Sequence, residues 1–353
     1  MGTVIDLAGA GECTSLPANR PTLLAAGRQA WALIRAGRGG LDSAVEVYRT
    51  TDAGRTWAQV ATTRGVVPFA LAGSLAALPD GRVGVLAHGG DIVARRLGAW
   101  YGELDPESGG WTAALEPVLD PHADDYGWLD GALAMSPTGP IVAGMSAHRR
   151  ALFCRRGVNG WTPLQAISDE RTGFAYPAAD DAGRSVHFAF STPRTPTHPG
   201  ALLYRRWEHF EWAADGIVKL EASVPSEFCL ALDQGGTAHV LWVVDGVARY
   251  ARRRESEGFD RREVATLSTG AEVALQVEPR PAVFLLERSR LQRIDLEGAG
   301  GAPELVADLS SLGTVSHLSV PRRSDERDAV VALVTVRRGK VDDRVVAIGA
   351  HRR

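Results

Sequence analysis

An aromatic residue recurring about every fifty positions limits the folds open to this chain more than any other feature. The series is Gly54-Arg55-Thr56-Trp57, Gly109-Gly110-Trp111, Asn159-Gly160-Trp161, Glu211-Trp212 and Gly258-Phe259, with intervals of 54, 50, 51 and 47 residues. A second marker runs in step, a Gly- or Pro-containing turn followed by a β-prone run. Examples are Pro79-Asp80-Gly81 before Val83-Gly84-Val85-Leu86, and Asp233-Gln234-Gly235-Gly236 before His239-Val240-Leu241-Trp242. Such turns supply the backbone angles that a tight hairpin needs. A third run of alternating character follows, as in Val45-Glu46-Val47-Tyr48-Arg49.

Each unit reads as four short antiparallel strands with the aromatic near the start of the fourth. One such sheet cannot bury both faces alone, so the units must stack around an axis. The chain is therefore expected to be all-β, a seven-bladed β-propeller of four-stranded blades forming one domain over 1–353. The blades fall at 20–65, 68–118, 128–166, 173–220, 226–267, 270–309 and 312–350. The last has three strands, ending at Arg344-Val345-Val346-Ala347-Ile348, and residues 3–8 can donate its fourth. That pairing would close the ring and remove an exposed edge. Six blades is the competing count, because the last two units carry the weakest markers.

Composition narrows the partners. The chain is 45% hydrophobic and 23% charged, with a formal net charge of -3. This balance lacks the basic face of a nucleic-acid binder. No run of about 18 apolar residues is present, so a helical membrane span is excluded. The first residues lack the regions of a signal peptide, and a cytoplasmic location is expected. Cys13, Cys154 and Cys229 match no metal spacing and read as reduced thiols. No P-loop, dinucleotide fingerprint or Ser-His-Asp order occurs, so no cofactor or metal is expected. The ring is expected to be monomeric.

Several polar groups have a structural reading. His187 and His239 occupy equivalent places in neighbouring units and read as core histidines bonded to adjacent blades; zinc would need a third ligand at that depth. Asp120, Asp124, Asp125 and Asp130 lack the order of a calcium loop and read as turn formers. Arg252-Arg253-Arg254 with Arg261-Arg262 reads as a solvated rim.

Tyr48-Arg49-Thr50-Thr51-Asp52-Ala53-Gly54-Arg55-Thr56-Trp57 resembles the Asp-box of sialidase-like, BNR-repeat propellers. In that box the Asp bonds turn amides and the Trp packs between sheets, so it marks fold rather than activity. Arg20-Pro21-Thr22-Leu23-Leu24 resembles a degraded sialidase motif whose arginine binds a substrate carboxylate, which implicates Arg20. A wider stretch, 120–215, resembles seven-bladed BNR-type propellers that include ulvan-type polysaccharide lyases. It rests on Gly131-Ala132-Leu133-Ala134-Met135, Gly144-Met145-Ser146-Ala147-His148, Ala175-Tyr176-Pro177 and Leu203-Tyr204-Arg205. That resemblance implies a catalytic set of His122, His148, Tyr176 and Arg205. An arginine would neutralise a uronate carboxylate while a tyrosine or neutral histidine removed the adjacent proton.

In a propeller the loops joining second to third strands, and one blade to the next, gather at one end of the channel. Around the connection 119–128 these loops offer Asp124, Asp125, Tyr126, Trp128, Arg149, Arg171, Arg194 and His198 for ligand binding. Two readings stay open. One is a non-catalytic platform recognising a protein partner or glycan through one face of the ring. The other is a carbohydrate-active enzyme, lyase or hydrolase, centred on blades three and four.

Overall fold

Short alternating runs punctuated by Gly and Pro give a chain of strands, with one 3-10 turn at Ser310–Leu312 among the described residues. The structure is a computed structural model that describes residues 4–6, 13–15, 21–37, 43–67, 69–70, 72–91, 96–112, 114–118, 128–146, 148–179, 185–209, 211–254, 258–297, 302–324, 330–338 and 342–349.

The strands form seven separate antiparallel sheets, the blades of a seven-bladed propeller. Blade one contains Cys13–Ser15 and Leu23–Ala26, which share one partner, then Gln29–Ala36, Ala44–Thr50 and Ala58–Thr62. Blade two is Ala72–Ala77, Val83–Asp91, Arg96–Leu104 and Glu116–Pro117. Blade three is Trp128–Ser136, Gly139–Ser146 and Ala151–Gly157, with its outer strand split into Gly160–Trp161 and Gln165–Ala166. Blade four is Ala175–Ala179, Ser185–Thr192, Ala201–Glu208 and Glu211–Glu221. Blade five is Glu227–Leu232, Ala238–Val244, Val247–Arg254 and Gly258–Thr266. Blade six is Glu272–Gln276, Ala282–Glu287, Arg290–Asp295 and Glu304–Asp308. Blade seven is Thr314–Ser319, Val330–Arg338 and Asp342–Gly349.

Val4–Asp6 supplies the fourth strand of blade seven, with Val4 opposite Ile348 and Asp6 opposite Val346. The first strands of successive blades are neighbours around the axis. Across the closing seam the buried hydroxyls of Thr22 and Ser319 lie 2.6 Å apart.

The apolar interior is divided. Seven clusters of buried residues each span an interface between adjacent blades, that of blades four and five also taking in Ala132 of blade three, so the core lies between sheets. The periodic aromatics explain the spacing. Each belongs to one blade and packs in the cluster shared with the blade before it: Trp57 with blade seven, Trp111 with blade one, Trp161 with blade two, Trp212 with blade three and Phe259 with blade four. Trp161 meets Tyr101 edge-on at 5.6 Å and donates from Nε1 to Glu116 at 3.1 Å. Phe259 meets Tyr204 edge-on at 4.9 Å. At Gly102 a Cβ would lie 2.7 Å from the Trp111 ring, so only glycine lets that ring close on its own sheet.

The Asp52 turn shows why its residues sit at that spacing. Asp52 accepts from the Thr56 amide at 2.9 Å, the Thr56 hydroxyl at 2.6 Å and the Thr50 hydroxyl at 2.8 Å. Those bonds, led by Thr56, hold its carboxyl down at about 2. Ala53 and Gly54 both adopt positive φ, 68° and 80°, to turn the chain. Cys154 and Cys229 are free and buried; burial alone pushes the Cys154 thiol up to about 12.

Deleting residues 1–8 should lower stability by about 2–4 kcal/mol, because it strips the outer strand from Asp342–Gly349 and bares its edge. The check is the thermal midpoint together with light scattering, and an unchanged midpoint would count against the closure. Trp161→Ala should cost about 3 kcal/mol in denaturant unfolding, chiefly through lost packing against Tyr101.

Candidate functional site

The strand order places two kinds of connection at one end of the ring, those between second and third strands and those between blades. At blades three and four this loop end is held by the backbone. The turn after Gly139–Ser146 is closed by the Arg149 amide donating to Ser146 O and the Ser146 amide to Arg150 O, both at 2.9 Å. Arg149 itself has a φ of 57°. The Thr172 amide then donates to Arg149 O at 2.8 Å, tying this turn to the connection into blade four. Gly173 and Phe174 bond to Ser191, and the 193–200 loop is pinned by Gly200 donating to His198 Nδ1 at 3.0 Å.

His148, Arg149, Arg150, Arg171, Arg194 and His198 are all exposed on these loops, as are Asp169 and Glu170. Phe174 and Val224 add exposed apolar surface, at 44% and 39%. Among the described residues these loops thus carry four guanidinium groups, two imidazoles and two carboxylates at the surface. Arg20, His122, Asp124, Asp125 and Tyr126 lie outside the described residues. Trp128 opens the first strand of blade three.

Two members of the implied catalytic set sit elsewhere. Tyr176 is buried in the innermost strand of blade four, 5.0 Å from the Phe228 ring, and lines an apolar cavity of about 490 Å³ at the axis. Arg205 lies 3.8 Å above the Trp212 ring and donates to Ile167 O at 2.6 Å, and burial lowers its pKa. Arg205 is thus a tie between blades three and four, whereas His148 stands in solvent.

The histidine pair is interior, with a correction to its partners. Tyr204 accepts from Arg253 Nη1 at 2.9 Å, so its own proton goes to His187 Nδ1 at 2.6 Å, and His187 Nε2–H donates to Ser185 Oγ at 2.8 Å. In blade five the Asp233 carboxylate can only accept, which assigns Nε2–H of His239 to it at 3.2 Å and leaves Nδ1 to accept from Tyr250 at 2.6 Å. Both histidines therefore bond first within their own blade, to a tyrosine of the third strand. Burial drives His187 down to about 3, aided by the charges of Arg253 and Arg206. Arg253, expected on a solvated rim, is instead drawn inward by Tyr204 and by Asp215, at 2.5 Å.

Near the loop end of the axis two glutamates open adjacent inner strands. Glu272 accepts from the amides of His317 and Leu318 at 2.8 and 2.7 Å, which favours its charged form. Glu227 is pushed up to about 7 by burial and by the charge of Glu272. Sequence alternation gave no sign of this pair, since each is simply the first residue of a strand. Among the described residues no group of His, Cys, Asp or Glu is arranged to hold a metal ion.

The chain matches no described protein family and no curated protein. Solved structures do resemble it. A polysaccharide lyase, an ulvan lyase bound to -[GlcA(1-4)Rha3S]-, superposes with a TM-score of 0.62 at 10% identity, covering 98% of this chain and 95% of that one. Oligogalacturonate lyase from Vibrio parahaemolyticus gives 0.57 at 10% identity, with 98% of each chain covered. The Dos1 propeller gives 0.52 at 12% identity, covering 89% and 75%. These likenesses establish the propeller fold, which is shared by enzymes and by propellers that are not enzymes.

Glu227→Gln gives a pH-dependent test of the axial pair. Between its usual carboxylate value and about 7, the folded chain keeps a proton that the unfolded chain has lost, so stability falls as pH rises through that window. The substitution should raise stability by about 1–3 kcal/mol at pH 8 and leave it unchanged at pH 4, read as thermal midpoints. An equal effect at both pH values would show that Glu227 does not carry this proton.

Proposed function

We propose that this chain is a non-catalytic binding propeller that recognises an acidic saccharide through the loop end of blades three and four. The observation that carries the reading is the exposed group Arg149, Arg150, Arg171 and Arg194 on backbone-braced loops, flanked by His148 and His198. Arginine forks match carboxylate and sulfate oxygens, and loops fixed by a rigid scaffold lose little entropy on binding. The exposed ring of Phe174 offers a face on which a sugar can stack. The partner classes named for two structural neighbours, a glucuronate-containing polymer and oligogalacturonate, are acidic saccharides. The interior positions of Tyr176 and Arg205 support binding over lyase chemistry, which would need both at the substrate.

The purified chain should be retarded in affinity electrophoresis through polygalacturonate and not through dextran, and the retardation should weaken with added salt. Replacing Arg149, Arg171 and Arg194 together by Gln should weaken binding by roughly tenfold with the thermal midpoint unchanged. Equal retardation by dextran, or no effect of the triple substitution, would overturn the assignment. Release of unsaturated sugar products would replace it with a lyase.

A further inference from the structure

At the opposite end of the ring, blades four and five enclose a polar cleft of about 280 Å³. Ser185, His187, Arg206, Glu208, His209 and Arg253 line it, with the turn at residues 235–238 as its floor. Its wall is a continuous chain of hydrogen bonds. Asp215 holds Arg253, Arg253 donates to Tyr204, Tyr204 to His187, and His187 to Ser185. The chain crosses the blade boundary, because Arg253 comes from blade five and the rest from blade four. It fixes the Arg253 guanidinium, whose side chain is only 12% exposed, in one orientation. Two of its N–H groups are engaged this way, and a guanidinium carries more.

Arg206 is the second cation of the cleft. It pairs with Glu208 at 3.3 Å, yet its Nε–H is buried and has no acceptor among the described residues. Arg206 and Arg253 both line the cleft, and guanidinium forks match the paired oxygens of a carboxylate or phosphate. We infer that this cleft binds a small hydroxylated oxyanion, a sugar acid or a sugar phosphate, with its anionic oxygens on Arg206 and Arg253 and its hydroxyls toward Glu208 and His209. The volume lies at the lower end of small-molecule sites and admits one sugar ring rather than a polymer. The site is separate from the loop end and does not depend on the reading given for it.

Glucuronate, glucose 6-phosphate and glucose, each titrated into the full chain by saturation-transfer NMR, test the inference. At least one anion should bind with a dissociation constant on the order of 1 mM, and glucose should bind at least about tenfold more weakly. Which anion binds more tightly identifies the oxyanion as carboxylate or phosphate. Arg206→Gln should weaken that binding by roughly tenfold with at most a small change in the thermal midpoint, since the only ion pair it removes is the partly exposed one to Glu208. Arg290→Gln, on the rim of blade six, should leave it unchanged. Arg253→Gln should weaken it too, and circular dichroism separates that loss from unfolding. Absence of transfer from both anions, or binding indifferent to Arg206→Gln, would overturn the site.

Discussion

The ring depends on an aromatic side chain reaching out of one blade and lying on the sheet before it. A lone four-stranded sheet buries at best one face, and nothing within a blade here supplies a second layer. Trp57, Trp111, Trp161, Trp212 and Phe259 each fill the space that two twisted sheets leave between them. Blade six has no such aromatic, and Leu296 occupies its interface with blade five. Because each interface has its own apolar cluster, stability is distributed around the circle rather than gathered at a centre. The loops at both ends are positioned by that repetition.

The repeat was legible in the sequence because it records a packing constraint met again in blade after blade. The seven-blade ring and the pairing of its ends followed from the same count, and six blades is excluded by the seven separate sheets. Individual polar residues were harder to read. Tyr176 lies beside Pro177 in a run that looks like a strand approaching a loop, but the innermost strand of a propeller is enclosed on both faces. Arg205 reads as a surface cation, yet the ring of Trp212 gives a guanidinium a place to stack inside an interface. Arg253 is hidden within Arg252-Arg253-Arg254; strand alternation alone separates it from its exposed neighbours and turns it toward Tyr204. The histidines were recognisable as interior, but their tyrosine partners lie across the sheet, a relation that linear spacing does not display.

The two ends of the ring have different chemistry, and topology is the reason. At blades three and four, connections at the loop end are long enough to carry arginines clear of the sheets. At the other end tight turns bring strand termini together, so polar groups there are half-enclosed and bonded to one another. His187, Tyr204 and Arg253 form a wall whose proton positions are fixed by the hydrogen bonds of the protein alone. The exposed cations of one end suit a large partner, and the half-enclosed groups of the other suit a small one.

The joining of Val4–Asp6 to Val346–Ile348 also bears on how the molecule comes into being. Strands more than three hundred positions apart must meet, so every residue up to Ile348 must have been made before the circle can be completed. Until then the blades already made form an open arc with a bare sheet at each tip. Such an arc is vulnerable to pairing with another nascent copy, and its lifetime is set by translation speed rather than by the strength of any interface.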